Sequence, residues 1–296
     1  MRILIIGGTG LISTAITRQL LARGDSVTLY NRGQREGRLP EGALLLKGDR
    51  SDHAAFERQM HAAGPFDCAI DMICYAPEEA ESDIRAFSGR VAHLIFCSTV
   101  DVYAKPASRY PYHEDEPQHP LNQYGADKSR CEALFLQAQT RGDLPVTILR
   151  PAHTYGEGGG LVHSLGWRTY VIDRIRRGLP LIVHGDGQSL WASCHIDDVA
   201  AAFVAAAGNL RALGRAYHVA GEQWLTWNQY YQGIAAALDA PEARLAHIPT
   251  NLLARLAPEA RVCAENFQFD NIFDNGAART DLGFRQTVCW EEGVRR

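Results

Sequence analysis

The stretch "RILIIGGTGLIS", residues 2–13, decides the fold. Ile3, Leu4, Ile5 and Ile6 form an apolar run without polar alternation, the mark of a strand buried on both faces. Glycines follow at once, at positions 7, 8 and 10. Beyond them Ala15, Ile16 and Leu20 recur at helical spacing, and Gly24 closes the segment. Strand, glycine turn and helix make one βα unit. Such a turn lets the backbone approach a pyrophosphate, and the free N–H groups of the first helical turn face the anion. Ser13 holds the third glycine position of the pattern and is a small replacement. The expected dinucleotide contacts here are Gly7, Thr9, Gly10, Leu11 and Ile12.

The pattern then repeats. "SVTLY", "ALLLKGD", "DCAIDMI", "VAHLIFCST" and "PVTILRP" read as further strands. "HAAFERQMHAAG", "PEEAESDIRAFSG" and "GADKSRCEALFLQAQTRG" read as helices between them. This alternation predicts an α/β fold, a doubly wound parallel (Rossmann) sheet. Past residue 156 the periodicity loosens, which predicts a smaller, less regular C-terminal substrate lobe. The expected division is 1–156 and 190–220 for the dinucleotide domain, and 157–189 and 221–296 for the lobe.

Composition narrows the classes. The chain has 296 residues, 46% of them hydrophobic, and a net charge of −4. A core is affordable and low-hydropathy disorder is excluded. Mixed charges speak against the basic stripe of a nucleic-acid surface. No apolar run approaches the ~18 residues of a membrane span. The seven cysteines contain no C-x-x-C pair, and the N-terminus lacks the longer apolar core of a signal peptide. Reduced thiols, a cytoplasmic setting and no metal site are the expectations.

The second strand ends in "LYNRG". An acidic residue there would hold a ribose 2′-hydroxyl and repel a 2′-phosphate. Asn31 and Arg32 occupy the place, with Arg35 and Arg38 following. Asparagine does not repel phosphate and arginine grips one, so NADP is favoured over NAD.

"NQYGADKSR", residues 122–130, carries the chemistry. The chain has 30 basic residues, and only Lys47, Lys105 and Lys128 are lysines. A lysine four residues after Tyr124 shares its helix face. An ammonium beside a phenol favours phenolate, so Tyr124 is expected to titrate low and act as general acid/base.

Gly7-Gly8-Thr9-Gly10, "STVDVY" (98–103), Tyr124-x-x-x-Lys128, "LRPAHTYG" (149–156), "GDG" (185–187) and "HIDDVA" (195–200) occur in this order. In them the chain resembles extended short-chain dehydrogenases/reductases, the NAD(P)-dependent sugar epimerase/dehydratase group. The resemblance implies that Thr99 hydrogen-bonds the reacting oxygen, Tyr124 exchanges the proton, and Lys128 meets ribose hydroxyls. It implies that Asp49 and Arg50 lie at the adenine end. It also implies that Cys74, Tyr75 and Ala76 pass over the cofactor, and that Pro151 and His153 flank the nicotinamide.

Departures bear on substrate. Nucleotide-sugar enzymes of the group usually carry a diphosphate-binding arginine four residues after "GDG", where this chain has Trp191. Arg168 or Arg174 could substitute, while Arg261 lies too far upstream of "NFQFDNIF". Val100-Asp101 keeps half of the acidic pair of sugar 4,6-dehydratases. Asp101 and Trp191 are therefore candidate substrate contacts. The stretch from Ala76 to Thr99 is short, and in the family it often builds a homodimer.

The leading expectation is an NAD(P)-dependent oxidoreductase or epimerase acting on a secondary alcohol of a sugar-like small molecule. An ordinary nucleotide-sugar 4-epimerase or dehydratase is the alternative. A non-catalytic cofactor-sensing or RNA-binding relative, such as the chloroplast proteins with similar loops, is the reading of another class.

Overall fold

Every apolar run named above becomes a strand. The structure is a computed structural model and describes residues 1–34, 39–167 and 169–296. Arg35, Arg38 and Arg168 lie outside the described residues. The strands are β1 (Arg2–Ile6), β2 (Ser26–Asn31), β3 (Leu44–Lys47), β4 (Phe66–Asp71), β5 (Val91–Cys97) and β6 (Val146–Pro151). A seventh, Ala216–Val219, returns beside β6. From that return strand the order runs β6, β5, β4, β1, β2, β3, and every pairing is parallel. Helices α1 (Leu11–Ala22), α2 (His53–Ala63), α3 (Pro77–Phe87) and α4 (Gln123–Arg141) connect the strands.

Burial on both faces explains the missing polar alternation. Ile3 and Ile5 pack with Ile16 and Leu20 of α1, and with Val199 and Phe203 of a helix at Ile196–Ala206. Leu4 and Ile6 point the other way, into a core with Phe56 of α2, Phe87 of α3 and Phe135 of α4. Strand order reverses where β1 lies between β2 and β4. A crevice opens at the C-terminal ends of strands at such a switch point.

The lobe has its own aromatic core, built on Trp191, Trp227, Tyr230, Phe267 and Trp290. Two segments bear on the expected division. The strand Leu190–His195 lies between His153–Tyr155 and Trp224–Thr226, outside the main sheet. Gly276–Leu282, expected in the lobe, packs on the dinucleotide domain. Ala278, Leu282 and Phe284 enter its core, and the Tyr217 hydroxyl donates to Asp281 at 2.9 Å. No helix among the described residues is long and apolar enough to cross a membrane.

A buried charge cluster sits under the crevice. Arg50 is 5% exposed and lies 2.8 Å from Asp83 and 3.6 Å from Asp71. Its guanidinium also covers the Phe56 ring, 4.1 Å from the centroid. Burial, then the charge of Asp71, push the Asp83 carboxyl up against the pull of Arg50. Asp71, Cys74 and Asp83 bring metal-ligand atoms within 4.8 Å of one another, and Arg50 supplies the positive charge there. Removing one partner of a buried ion pair leaves the other charge unpaired. Arg50→Met is expected to lose about 3–5 kcal/mol of unfolding free energy, measured by urea denaturation.

Candidate active site

Construction begins at the turn between β1 and α1. Gly7 has φ +86°, and a Cβ there would lie 2.4 Å from Ile73 Cγ2, so only glycine fits. The Ser13 hydroxyl donates to the Gly7 carbonyl and accepts from the Gly10 N–H, both at 2.8 Å. Serine at the third pattern position thus locks the turn from inside.

Three adjoining cavities follow the crevice. The first, about 500 Å³, is lined by Gly7, Thr9, Gly10, Asn31, Arg32, Asp49, Arg50 and Tyr75. The second, about 320 Å³, shares Gly7, Gly10 and Tyr75, and adds Leu11, Ile12, Thr99, Tyr124, Lys128 and Pro151. The third, about 400 Å³, shares Thr99 and Tyr124 and adds Asp101, His153 and Trp191. Thr99 and Tyr124 therefore stand at the junction of a long cleft and a separate chamber.

At the far end of the cleft, Asn31 Oδ1 accepts from Gly33 N at 2.8 Å, while buried Nδ2 has no partner. Arg32 is exposed at the rim. Hydrogen bonds from the backbone and hydroxyl of Ser51 hold the Asp49 carboxyl low. Arg50 lines this cavity, but its charge is engaged by Asp71 and Asp83.

At the junction, the 19-residue α4 starts from an Asn122 cap that accepts from Gly125 N. One face presents Tyr124 and, a turn later, Lys128. Lys128 is 1% exposed and donates to the Cys97 carbonyl at 2.6 Å. Its ammonium lies 4.8 Å from the Tyr75 ring centroid and 5.9 Å from that of Tyr124. Thr99 accepts from Asp101 N at 3.2 Å, which leaves its own proton to donate.

The titration of Tyr124 corrects an expectation. The residue keeps 42% of its surface open along the cleft. Yet its pKa is raised, by burial first and then by Cys97, Asp101 and Tyr75, with a hydrogen bond to Thr99 pulling the other way. Lys128 is not among the leading causes; its ammonium donates to the Cys97 carbonyl.

Cys74, Ala76 and His153 fall elsewhere than expected. Cys74 is buried, its thiol 3.9 Å from that of Cys131, and Ala76 caps α3. Neither lines any of these three cavities; Met72 and Ile73, two and one residues before Cys74, line the second instead. Side chains alternate along His153–Tyr155. Thr154 consequently lines both the second and third cavities and His153 only the third. His153 Nδ1 lies 2.9 Å from Ser193 Oγ, and burial pushes its pKa down to about 3.

The chamber's far wall was missed by sequence reasoning. Asn266, Phe267, Asn271 and Phe273 build it, with Trp167 at its edge. Asn266 Nδ2 donates to Asp101 at 3.1 Å. The sequence "NFQFDNIF" holds the first four of these, without a periodicity that singles them out. Arg174 is engaged by the Pro180 carbonyl, at 2.9 and 2.6 Å.

Residues 3–220 match the model of the NAD dependent epimerase/dehydratase family, and the chain belongs to that family. It is an enzyme of the short-chain dehydrogenase/reductase type. A 2′-dehydrokanamycin reductase of Streptomyces kanamyceticus is 29% identical over 276 residues, covering 93% of this chain and 77% of the relative. The chloroplast stem-loop binding protein of 41 kDa b of Arabidopsis thaliana is 28% identical over 259 residues, covering 83% of this chain and 65% of that protein. Among solved structures, UDP-glucose 4-epimerase of Thermotoga maritima with UDP-glucose superposes at TM-score 0.78 and 21% identity. The match covers 100% of this chain and 96% of that one, and it shows a shared fold.

The raised phenol is directly testable. Ultraviolet titration of the ligand-free protein, with Tyr124→Phe as the difference reference, is expected to place Tyr124 above the ordinary tyrosine value of ~10. A phenolate already present near neutral pH would contradict the arrangement described.

Proposed function

We propose that the chain catalyses nicotinamide-linked hydride exchange at a secondary alcohol, or its ketone, of a carbohydrate-like small molecule. One observation carries this reading: Thr99 and Tyr124 line both the cleft and the chamber, so a group held in the chamber meets them.

The cleft fits a dinucleotide. The Gly7 cradle and the first turn of α1 suit a pyrophosphate, with Thr9, Gly10, Leu11 and Ile12 around it. The unpartnered Asn31 Nδ2, with Arg32 and Asp49, suits the adenosine end. Tyr75, Pro151 and Lys128 would hold the nicotinamide end. When bound, the cofactor supplies or accepts the hydride. Thr99 hydrogen-bonds the substrate oxygen and Tyr124 gives or takes its proton. A phenol held up is protonated at neutral pH, which suits proton donation and hence reduction of a ketone.

Lys128 fixes the helix that carries Tyr124. A neutral asparagine and a rim arginine at the end of β2 support NADP over NAD. Retention of Thr99, Tyr124 and Lys128 supports catalysis over the RNA-binding reading that the chloroplast relative brings.

Tyr124→Phe is expected to keep cofactor binding and lower turnover roughly a hundredfold or more. Steady-state rates beside a cofactor titration check it, and near-normal turnover would refute the role. Arg32→Ala is expected to weaken NADP binding by about 1.5–3 kcal/mol and leave NAD nearly unchanged. Equal losses for both cofactors in calorimetry would remove the NADP preference.

A further inference from the structure

Buried polar atoms are nearly always hydrogen-bonded in folded proteins, so the exceptions point to a missing partner. Three exceptions belong to residues of one cavity, the chamber beside Tyr124. They are His153 Nε2, Trp191 Nε1 and Asn266 Oδ1. The indole N–H only donates. A carboxylate only accepts, so the Asn266–Asp101 contact fixes that amide with Oδ1 free to accept. Burial keeps His153 neutral, and its other ring nitrogen is held by Ser193.

Positive charge is also absent from the chamber's described lining. Among its described lining residues there is no arginine or lysine, and Asp101 is the single formally charged side chain. The nearby Lys105 ammonium is engaged by Asn271 Oδ1, while Asp101 attracts it from the chamber side. The pair leaves no surplus positive charge for a phosphate. An anion confined there would be buried without a partner, which is costly. Trp191 replaces charge with a flat apolar face, packed 4.9 Å from Trp227 and 5.0 Å from Phe267 between ring centroids.

We infer that this chamber selects an uncharged, hydroxyl-bearing ring that carries no phosphate or diphosphate, read by Trp191 N–H, Asn266 Oδ1 and His153 Nε2. A hydroxyl both donates and accepts, so a polyol ring satisfies an N–H and a carbonyl oxygen together. Anchored there, the ring presents a neighbouring carbon to Thr99 and Tyr124. Trp191 and Asn266 are thus specificity-determining residues. The inference rests on the reading that the chamber is the substrate site.

Calorimetric titration into the NADP-loaded chain tests it with matched pairs: methyl glucoside and its 6-phosphate, myo-inositol and its monophosphate, and free UDP. At least one uncharged member is expected to bind in the millimolar range or tighter, and its phosphorylated partner about tenfold or more weaker. Trp191→Phe keeps an aromatic face and removes the N–H together with part of the indole ring. It is expected to weaken the uncharged ligand roughly three- to tenfold and leave NADP affinity unchanged. Asn266→Leu is the second variant, with the same expectation.

Three results would overturn the inference. They are phosphorylated ligands or UDP binding as tightly as uncharged rings, no uncharged ring binding at millimolar concentration, or both variants binding like the parent. Turnover is not the readout. Normal turnover in Tyr124→Phe would therefore remove the catalytic reading, and these affinities would still decide the chamber's selectivity.

Discussion

The hydrogen bond from Lys128 to the Cys97 carbonyl holds the site together. That carbonyl ends β5, and Lys128 lies one turn along α4 from Tyr124. The bond therefore sets the height of the helix against the sheet, and with it the meeting of Tyr124 and Thr99. A second tie lies one turn further on. Glu132 receives the Arg150 guanidinium in a bidentate pair, at 2.9 and 2.6 Å, and the Ser98 hydroxyl at 2.5 Å. Helix, β5 and β6 are thereby joined by buried charge-assisted bonds, which are shorter and stronger than neutral ones. Arginine at 128 would bring a planar fork where a compact ammonium reaches one carbonyl.

The cofactor end rests on a different device. Its walls are backbone and turn geometry: a glycine that no other residue can replace, a serine that pins the turn, and an asparagine cap at the end of β2. Beneath them the Arg50 cluster connects the loop after β3 to β4 and α3. Buried ion pairs of this kind add little net stability, yet they leave few alternative packings for the loops they join.

The sheet was legible because parallel strands are buried on both faces, and such strands read as plain apolar runs. The glycine turn and the Tyr124–Lys128 spacing were legible because few residue types meet their demands. Three kinds of feature were not. The first is electrostatic direction. Adjacency on a helix suggested that Lys128 lowers Tyr124, but a carbonyl outside the helix takes the ammonium. The second is irregular backbone. The loop after β4 faces the cleft with Met72 and Ile73 rather than Cys74 and Ala76, a shift that no periodicity encodes. Likewise Cys263–Phe267 is a short π-helix. It carries Asn266 and Phe267 to the chamber without a helical or strand pattern to announce them. Arg50 shows a third kind: it lines the cleft, as a basic residue after β3 suggests, but the buried partners that engage its charge, Asp71 and Asp83, lie far off in the sequence.

In the proposed reading, reaction and recognition sit on different parts of the chain. Thr99 follows the end of β5 by two residues, and Tyr124 and Lys128 stand on α4, which Lys128 ties to β5. The chamber's far wall comes from the segment 262–273, clamped to the strand Leu190–His195 by the backbone of Asn271. That separation makes the scaffold evolvable. Sequence drift or a mutant library confined to 262–273 can remodel what enters the chamber while the proton-transfer geometry is inherited intact. Relatives of one such chain can therefore diverge in diet long before they diverge in chemistry.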